Sequence, residues 1–301
     1  MKRATRRREA GPRTVGGWWG EIASRFAWGR LFFGHGTHDA PEEAAWLLCQ
    51  VLRIPFDALP GSLDRPVGAA AAHRLEHLAT QRVKTREPLA YILREAWLAD
   101  HRFYVDRRVI VPRSHIAELL PDRLAPWLPW GEAKRVLDLC TGSGCLAILA
   151  ALAFPTARVD ASDVSAAALA VARRNVKSYR LGRRIRLVRS DLFAALPGRY
   201  ELILCNPPYV PAAEMRRLPA EYRAEPRLAL DGGRDGLGFV RRLLAEAADH
   251  LAPDGVLVVE IGAGRKTVER AFPRLPFTWL ATHAGEGLVF LLRRTELAAR
   301  R

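Results

Sequence analysis

From Arg135 onward the chain alternates short apolar runs with stretches of helical spacing, and this alternation leaves few folds open. Residues 135–140, 158–163, 184–188, 200–205 and 256–261 read as strands. Between them, residues 145–154, 165–181 and 238–251 read as helices, with Ser165 as an N-cap and Pro253-Asp-Gly as a stop. Residues 277–280 and 287–292 read as a closing strand pair. Strands separated by helices imply right-handed parallel crossovers, so the expected fold is α/β: a doubly wound, mostly parallel, seven-stranded Rossmann-like sheet. Such a sheet binds its ligand outside the carboxyl ends of its strands.

The first 130 residues read differently. Residues 1–30 hold Arg, Gly and Trp without a sustained period and are expected to form a basic flexible arm. Residues 31–101 are expected to form a smaller helical domain that recognises substrate. Its helices are read at 41–52, capped by Asp39, and at 69–84. Residues 102–105 and 108–112 read as a strand pair, and 116–124 as a helical stretch. Pro126, Pro129 and Gly131 mark a break. The expected divisions are therefore 1–30, 31–101, 102–130 (hairpin and linker) and 131–301.

Charge restricts partners rather than fold. Lys and Arg number 47 against 32 acids, a net charge of +15, which favours anionic partners such as ribosomal RNA, with the basic arm as one contact. The longest apolar run, 145–154, is too short to span a bilayer, so no membrane association is expected. The four cysteines include no C-x-x-C pair, which argues against zinc and a disulfide framework and points to reducing cytoplasm; no metal is expected. No apolar stretch follows the basic N-terminus, so a secretory signal fits poorly.

The chemistry gathers at the strand ends. Asp138-Leu-Cys140-Thr141-Gly142-Ser143-Gly144 forms a strand-to-helix turn whose glycines let a ligand approach the backbone. Gly142, Gly144 and Ala147 also satisfy a loose dinucleotide fingerprint. Asp163, at the end of the next strand, suits the two hydroxyls of a ribose. Asp191 ends the third strand beside Leu192 and Phe193, an apolar wall for an adenine ring. NAD and S-adenosylmethionine both fit this set. Asp138 favours the second, because its carboxylate can attract an ammonium group. The Asn206-Pro207-Pro208-Tyr209 motif then decides. The Asn206 amide oxygen and the Pro207 carbonyl are two acceptors for the two hydrogens of a planar NH₂ group, and Tyr209 can stack on its face. An amide nitrogen oriented in this way can attack an activated methyl in line, with orientation lowering the barrier by about 7–11 kcal/mol at best.

These motifs resemble the protein-glutamine N5-methyltransferases (the HemK/PrmC-like family) from about residue 31 to residue 292. Phe33-Gly-His-Gly-Thr, Pro88-Leu-Ala-Tyr, Val111-Pro-Arg-Ser, Leu218-Pro-Ala-Glu-Tyr, Glu225-Pro and Asp235-Gly-Leu carry the likeness beside the catalytic motifs. Cys140, and Pro112-Arg-Ser in place of Pro-Arg-Pro, favour the PrmB type, which acts on large-subunit ribosomal protein L-three, over the release-factor type. His115 departs from the pattern of the PrmB type, which usually has Pro there.

The resemblance implies S-adenosyl-L-methionine as cofactor, held by Asp138, Cys140, Thr141, Gly142, Ser143, Gly144, Asp163, Asp191, Leu192 and Asn206. It implies Asn206, Pro207, Pro208 and Tyr209 as catalytic, with Phe103 and Arg113 shaping the substrate entrance. The expected substrate is a glutamine of ribosomal protein L-three, free or in an assembling particle. The release-factor glutamine and DNA adenine are the alternatives. A dehydrogenase leaves the double proline unexplained, and a ribosome-assembly binder leaves the intact Asn206 motif unexplained.

Overall fold

A computed structural model describes residues 13–128, 132–262 and 264–298. The chain separates into two units, Met1–Leu93 and Arg94–Arg301. The boundary thus falls some residues before the expected one, because the hairpin that follows belongs to the second unit.

The first unit is helical. Helix α1, Val15–Trp28, is capped by Thr14, whose side chain accepts from the Gly17 N–H. Its buried face is Val15, Trp18, Ile22 and Phe26, at spacings of three and four residues. The expected flexible arm is therefore corrected over these residues; residues 1–12 lie outside the described ones. Helix α2, Ala40–Leu52, starts as expected, with Asp39 accepting from the Glu42 N–H at 2.8 Å. Helices α3, Ala69–Thr85, and α4, Leu89–Leu93, complete the unit. Inside it, Arg82 Nε donates to Glu43 Oε1 at 2.6 Å, and both side chains are almost wholly buried.

The second unit opens with a hairpin, β1 Ala96–Leu98 and β2 His101–Phe103. This corrects the expected pair, since 108–112 forms no strand. The expected helical stretch at 116–124 is also corrected. It is a short 3-10 helix, His115–Leu119, followed by turns. Of the expected break, Pro129 and Gly131 lie outside the described residues.

The sheet forms as expected. Its strands are β3 Arg135–Leu139, β4 Arg158–Asp163, β5 Ile185–Arg189, β6 Tyr200–Cys205, β7 Leu251–Glu260, β8 Thr278–Thr282 and β9 Gly285–Arg293. Their spatial order is β5-β4-β3-β6-β7-β9-β8, with β9 antiparallel to both neighbours and the rest parallel. Helices α5 Cys145–Ala153, α6 Ala166–Ser178, α7 Ala212–Met215, α8 Gly238–His250 and α9 Arg265–Ala271 lie between them, and α10 Arg294–Ala298 follows β9.

Alternate strand residues feed two cores. Val136, Leu202, Leu204, Val256 and Val258 pack with α5 on one face. Leu137, Leu139, Ile203, Leu257 and Val259 pack with α8 on the other. Strand order reverses at β3, which lies between β4 and β6, and this opens a crevice at their carboxyl ends. Among the described residues, no helix is long and apolar enough to cross a membrane.

Candidate active site

A cavity of about 500 Å³ lies at that crevice. Of the residues singled out from the sequence, Cys140, Gly142, Asp163, Asp191, Leu192, Asn206 and Pro208 line it. Asp138, Thr141, Ser143, Gly144, Pro207, Tyr209, Arg113 and Phe103 do not, and their positions show what each does instead.

Asp138 lies beneath the glycine turn, 1% exposed. Its Oδ2 accepts from Thr141 Oγ1 at 2.6 Å and from the Ala147 N–H at 3.0 Å. Its Oδ1 is buried with no hydrogen-bond partner among the described residues. Burial pushes its carboxyl up to about 7, the negative Asp163 adds to this, and the Thr141 and Ala147 hydrogen bonds oppose it. The turn is therefore built around a carboxylate that lacks a cation.

The turn itself is held from two sides. The Thr141 N–H extends the sheet by donating to the Ser162 carbonyl at 2.9 Å. Gly144 has φ +80, and a Cβ there would stand 3.2 Å from Ala172 Cβ, so glycine permits both the turn and its approach to α6. Asn175 of α6, buried, donates from Nδ2 to the Ser143 carbonyl at 2.8 Å and to the Tyr104 carbonyl at 3.0 Å. Its Oδ1 accepts from the Tyr104 N–H at 2.8 Å. One amide thus ties the turn to the segment after β2. Sequence reasoning missed Asn175. The available signal was a polar residue inside the buried stripe of an amphipathic helix, between Ala172 and Val176.

Asp163 offers its outer lone pairs to the cavity. Oδ2 accepts from the Gly142 N–H at 3.0 Å and Oδ1 from the Ser165 N–H at 2.8 Å. Both oxygens are oriented by backbone, and each keeps acceptor capacity for a hydroxyl. Asp191 is exposed and pairs with Arg242 of α8 at 2.9 Å. Leu192 and Cys140 line the cavity with φ of +49 and +57, a left-handed conformation that costs a bulky side chain energy.

At the end of β6, neither the Asn206 side chain nor the Pro207 carbonyl takes a hydrogen bond from the described residues. The chain after them is pinned. The Val210 N–H donates to Leu230, and the Gly232 N–H donates to Val210, at 2.8 and 2.9 Å. The Tyr209 ring packs on Gly262, where a Cβ would stand 2.3 Å from Tyr209 Cδ2. Burial raises the Tyr209 hydroxyl above its ordinary range, and Glu260 adds to this.

Arg113 is clamped to Glu225 by two hydrogen bonds of 2.6 and 2.7 Å. Burial opposes its charge, but these bonds outweigh that and keep the guanidinium protonated. Glu225 also accepts from the Val111 N–H at 2.9 Å, so the pair joins residues 111–113 to the loop after α7. Glu260 performs the same service nearby, accepting from Ser114 Oγ at 2.6 Å and from the His115 N–H at 2.8 Å. Neither acid was given a role from the sequence, although Glu260 ends a strand as Asp163 does. Phe103 needs correction as an entrance residue. It is 0% exposed and stacks on Tyr179, with centroids 5.6 Å apart, in the core. An all-apolar ring after a two-residue turn gains more from burial than from the rim.

Comparison with known proteins gives this geometry a context. The Methyltransferase small domain model matches residues 118–221, and the PrmC N-terminal domain model matches residues 26–93. The chain is 52% identical over 285 residues to the ribosomal protein uL3 glutamine methyltransferase of Burkholderia pseudomallei, covering 92% of this chain and 93% of that one. It is 53% identical to the protein of the same name from Bordetella pertussis, covering 91% and 93%. The counterpart in Neisseria meningitidis serogroup A is 50% identical, covering 91% of each.

Proposed function

The chain belongs to the family of the ribosomal protein uL3 glutamine methyltransferases, and from that premise we propose that it methylates the side-chain amide nitrogen (N5) of a glutamine in ribosomal protein uL3, with S-adenosyl-L-methionine as donor. The observation that carries the reading is the pair of open acceptors, Asn206 Oδ1 and the Pro207 carbonyl, on a rigid turn beside the cavity.

The cavity fits that donor. Asp163 presents two oriented oxygens to a ribose, Leu192 presents an apolar wall to a base, and Asp138 has a buried oxygen without a partner. A cationic ammonium, directly or through a water, would answer that oxygen. Thr141, Ser143 and Gly144 shape the turn above Asp138. S-adenosylmethionine, when bound, supplies a sulfonium methyl that is already electrophilic.

The remaining work belongs to this chain. An amide nitrogen is a poor nucleophile because its lone pair is shared with the carbonyl. Acceptance of both N–H hydrogens by Asn206 and Pro207 turns the nitrogen toward the donor and raises its electron density. The same acceptors favour the positive charge that grows on nitrogen. No strong base is required, because the proton on the methylated nitrogen is acidic and leaves to solvent. Pro208 closes the turn. Tyr209, packed on Gly262, can stack on the amide plane once substrate enters. The motif reads only an amide, so choice of the protein falls to other surfaces, and the helical unit is the one we assign to it.

Methyl transfer from labelled S-adenosylmethionine to ribosomal protein uL3, a peptide release factor and unmodified DNA tests the reading. The expected result is one methyl, mapped by mass spectrometry to a glutamine of uL3 alone. Label on the release factor or in DNA would overturn the substrate. Asn206→Ala should lower kcat by about 10²–10³-fold, by analogy with deletion of one polar group that stabilises a transition state. Its donor affinity should change little; equal loss of both would remove the assigned role.

A further inference from the structure

We propose that the outer edge of the methyltransferase unit, formed by the second half of α6, the turn after it and β5, binds single-stranded RNA. This inference does not depend on which amide is methylated. Residues 164–190 contain eight Lys or Arg and no acid. Some of these cations have internal work. Arg184 donates to the carbonyls of Ala151 and Phe154 at 2.7 and 2.6 Å, and Arg186 pairs with Asp160 at 2.7 Å. Arg173, Arg174, Lys177, Arg180 and Arg183 are exposed, and no carboxylate pairs with them among the described residues.

A helix C-terminus attracts cations, and that effect covers Lys177 and Arg180 at about 0.3–1 kcal/mol each. It does not reach Arg183 or account for Arg173. Arg173 and Lys177 stand four apart on one helix, where like charges cost about 0.2–0.5 kcal/mol. The free protein therefore holds a like-charged surface that an anionic partner would relieve.

The shape selects the partner. Arg173, Lys177, Arg180 and Arg183 line a hollow of about 550 Å³. A neighbouring hollow of about 400 Å³ has Arg94, Arg102 and Arg174 on its rim and Tyr104 and Tyr179 in its wall. Arg174 lies 3.5 Å over the Tyr104 ring. Trp97 is 50% exposed and faces Arg102 across the hairpin. Arginine forks suit phosphates, and aromatic faces suit unstacked bases, which single strands present and duplexes hide. Val176, Ile185 and Leu187 also line the first hollow, and Glu95, 3.4 Å from Arg102, lines the second, but the exposed side chains around the first are Arg173, Lys177, Arg180 and Arg183, which suit phosphates. Lys177 lies nine residues beyond Ala168, which lines the active-site cavity. That is about 14 Å along the helix at ~1.5 Å per residue, toward the amino ends of the strands, where the Val159 N–H donates to the Arg184 carbonyl, so RNA held here would lie away from the crevice and leave it open.

The test uses the full chain and a fluorescein-labelled, unstructured 20-nucleotide RNA, with anisotropy read across a salt series. Three variants are compared with the wild type. One carries R173Q, K177Q, R180Q and R183Q together. A second keeps charge as R173K, R180K and R183K. A third carries R6Q, R7Q and R8Q in the basic N-terminus. The quadruple variant should bind at least tenfold more weakly at 100 mM salt, and its log–log salt slope should fall by about 3, for four lost phosphate contacts. The lysine variant should keep the slope, and thermal midpoints should be unchanged. Unchanged affinity and slope in the quadruple variant would overturn the proposal. So would loss confined to the N-terminal variant, or tighter binding to duplex RNA of equal length or to anionic phospholipid vesicles.

Discussion

Glu43 in the helical unit and Asp138 in the methyltransferase unit are both acids buried away from water, and they differ in what answers their charge. Glu43 has Arg82 at 2.6 Å and Thr37 at 3.2 Å, within its own unit. Asp138 has a hydroxyl and a backbone N–H on one oxygen and, among the described residues, no hydrogen-bond partner on the other. Burial raises both above the ordinary carboxylate range. The charge of the first is answered when the chain folds. The second is a fold that carries a charge whose complement arrives with the ligand.

The largest effect should come from breaking the completed site. Arg82→Ala leaves a buried carboxylate without its cation and should cost about 3–5 kcal/mol in urea unfolding. Glu43→Leu with Arg82→Met should recover most of that, because an apolar pair of similar volume avoids the desolvation of two charges. If the double variant is as unstable as the single, Glu43 is not the reason for the loss.

The open site should respond in the opposite sense. Asp138→Asn should weaken binding of S-adenosylhomocysteine, which keeps the ammonium group, about tenfold, or ~1.4 kcal/mol. It should leave the ligand-free thermal midpoint at pH 8 unchanged or higher. A clear fall in that midpoint would place Asp138 with Glu43 as a structural acid.

A pH series sharpens the contrast. The folded Asp138 carboxyl lies at about 7, above its ordinary 3.8. Its contribution to stability is therefore complete below 3.8 and lost as pH rises through about 7. Affinity for S-adenosylhomocysteine, through its ammonium group, should run the other way, rising between pH 6 and 8, and the rise should vanish in Asp138→Asn. Isothermal titration at three pH values decides this. The smallest effect should come from Asp191→Ala. Its pair with Arg242 is exposed, worth about 0–1 kcal/mol, so ligand affinity should shift by less than about threefold.

The sheet was legible because β3, β6 and β7 carry apolar runs buried on both faces and separated by stretches of helical spacing. The first helix was equally present in the spacing of Val15, Trp18, Ile22 and Phe26, but Gly16, Gly17 and the basic residues before them hid it. The hairpin at 96–103 carried no turn signal. Ala99 and Asp100 adopt φ of +47 and +59, where Asn-Gly is the usual pair, so no local residue marked the bend. At the site, the loop and the Asn206 motif could be read because their chemistry is local in sequence. The clamps could not. Arg113–Glu225 and Ser114–Glu260 join residues 112 and 146 positions apart, and only tertiary packing brings them together.

The two acceptors at the end of β6 belong to consecutive residues, so the gap between them is limited by one stiff turn and the two side-chain torsions of Asn206. A gauge of that kind counts. A glutamine amide arrives with two hydrogens and can satisfy both oxygens. Once methylated it has one, and a methyl then meets an oxygen that needs a donor. On the reading proposed above, the same pair that admits the substrate turns away the product, and the reaction stops after a single round.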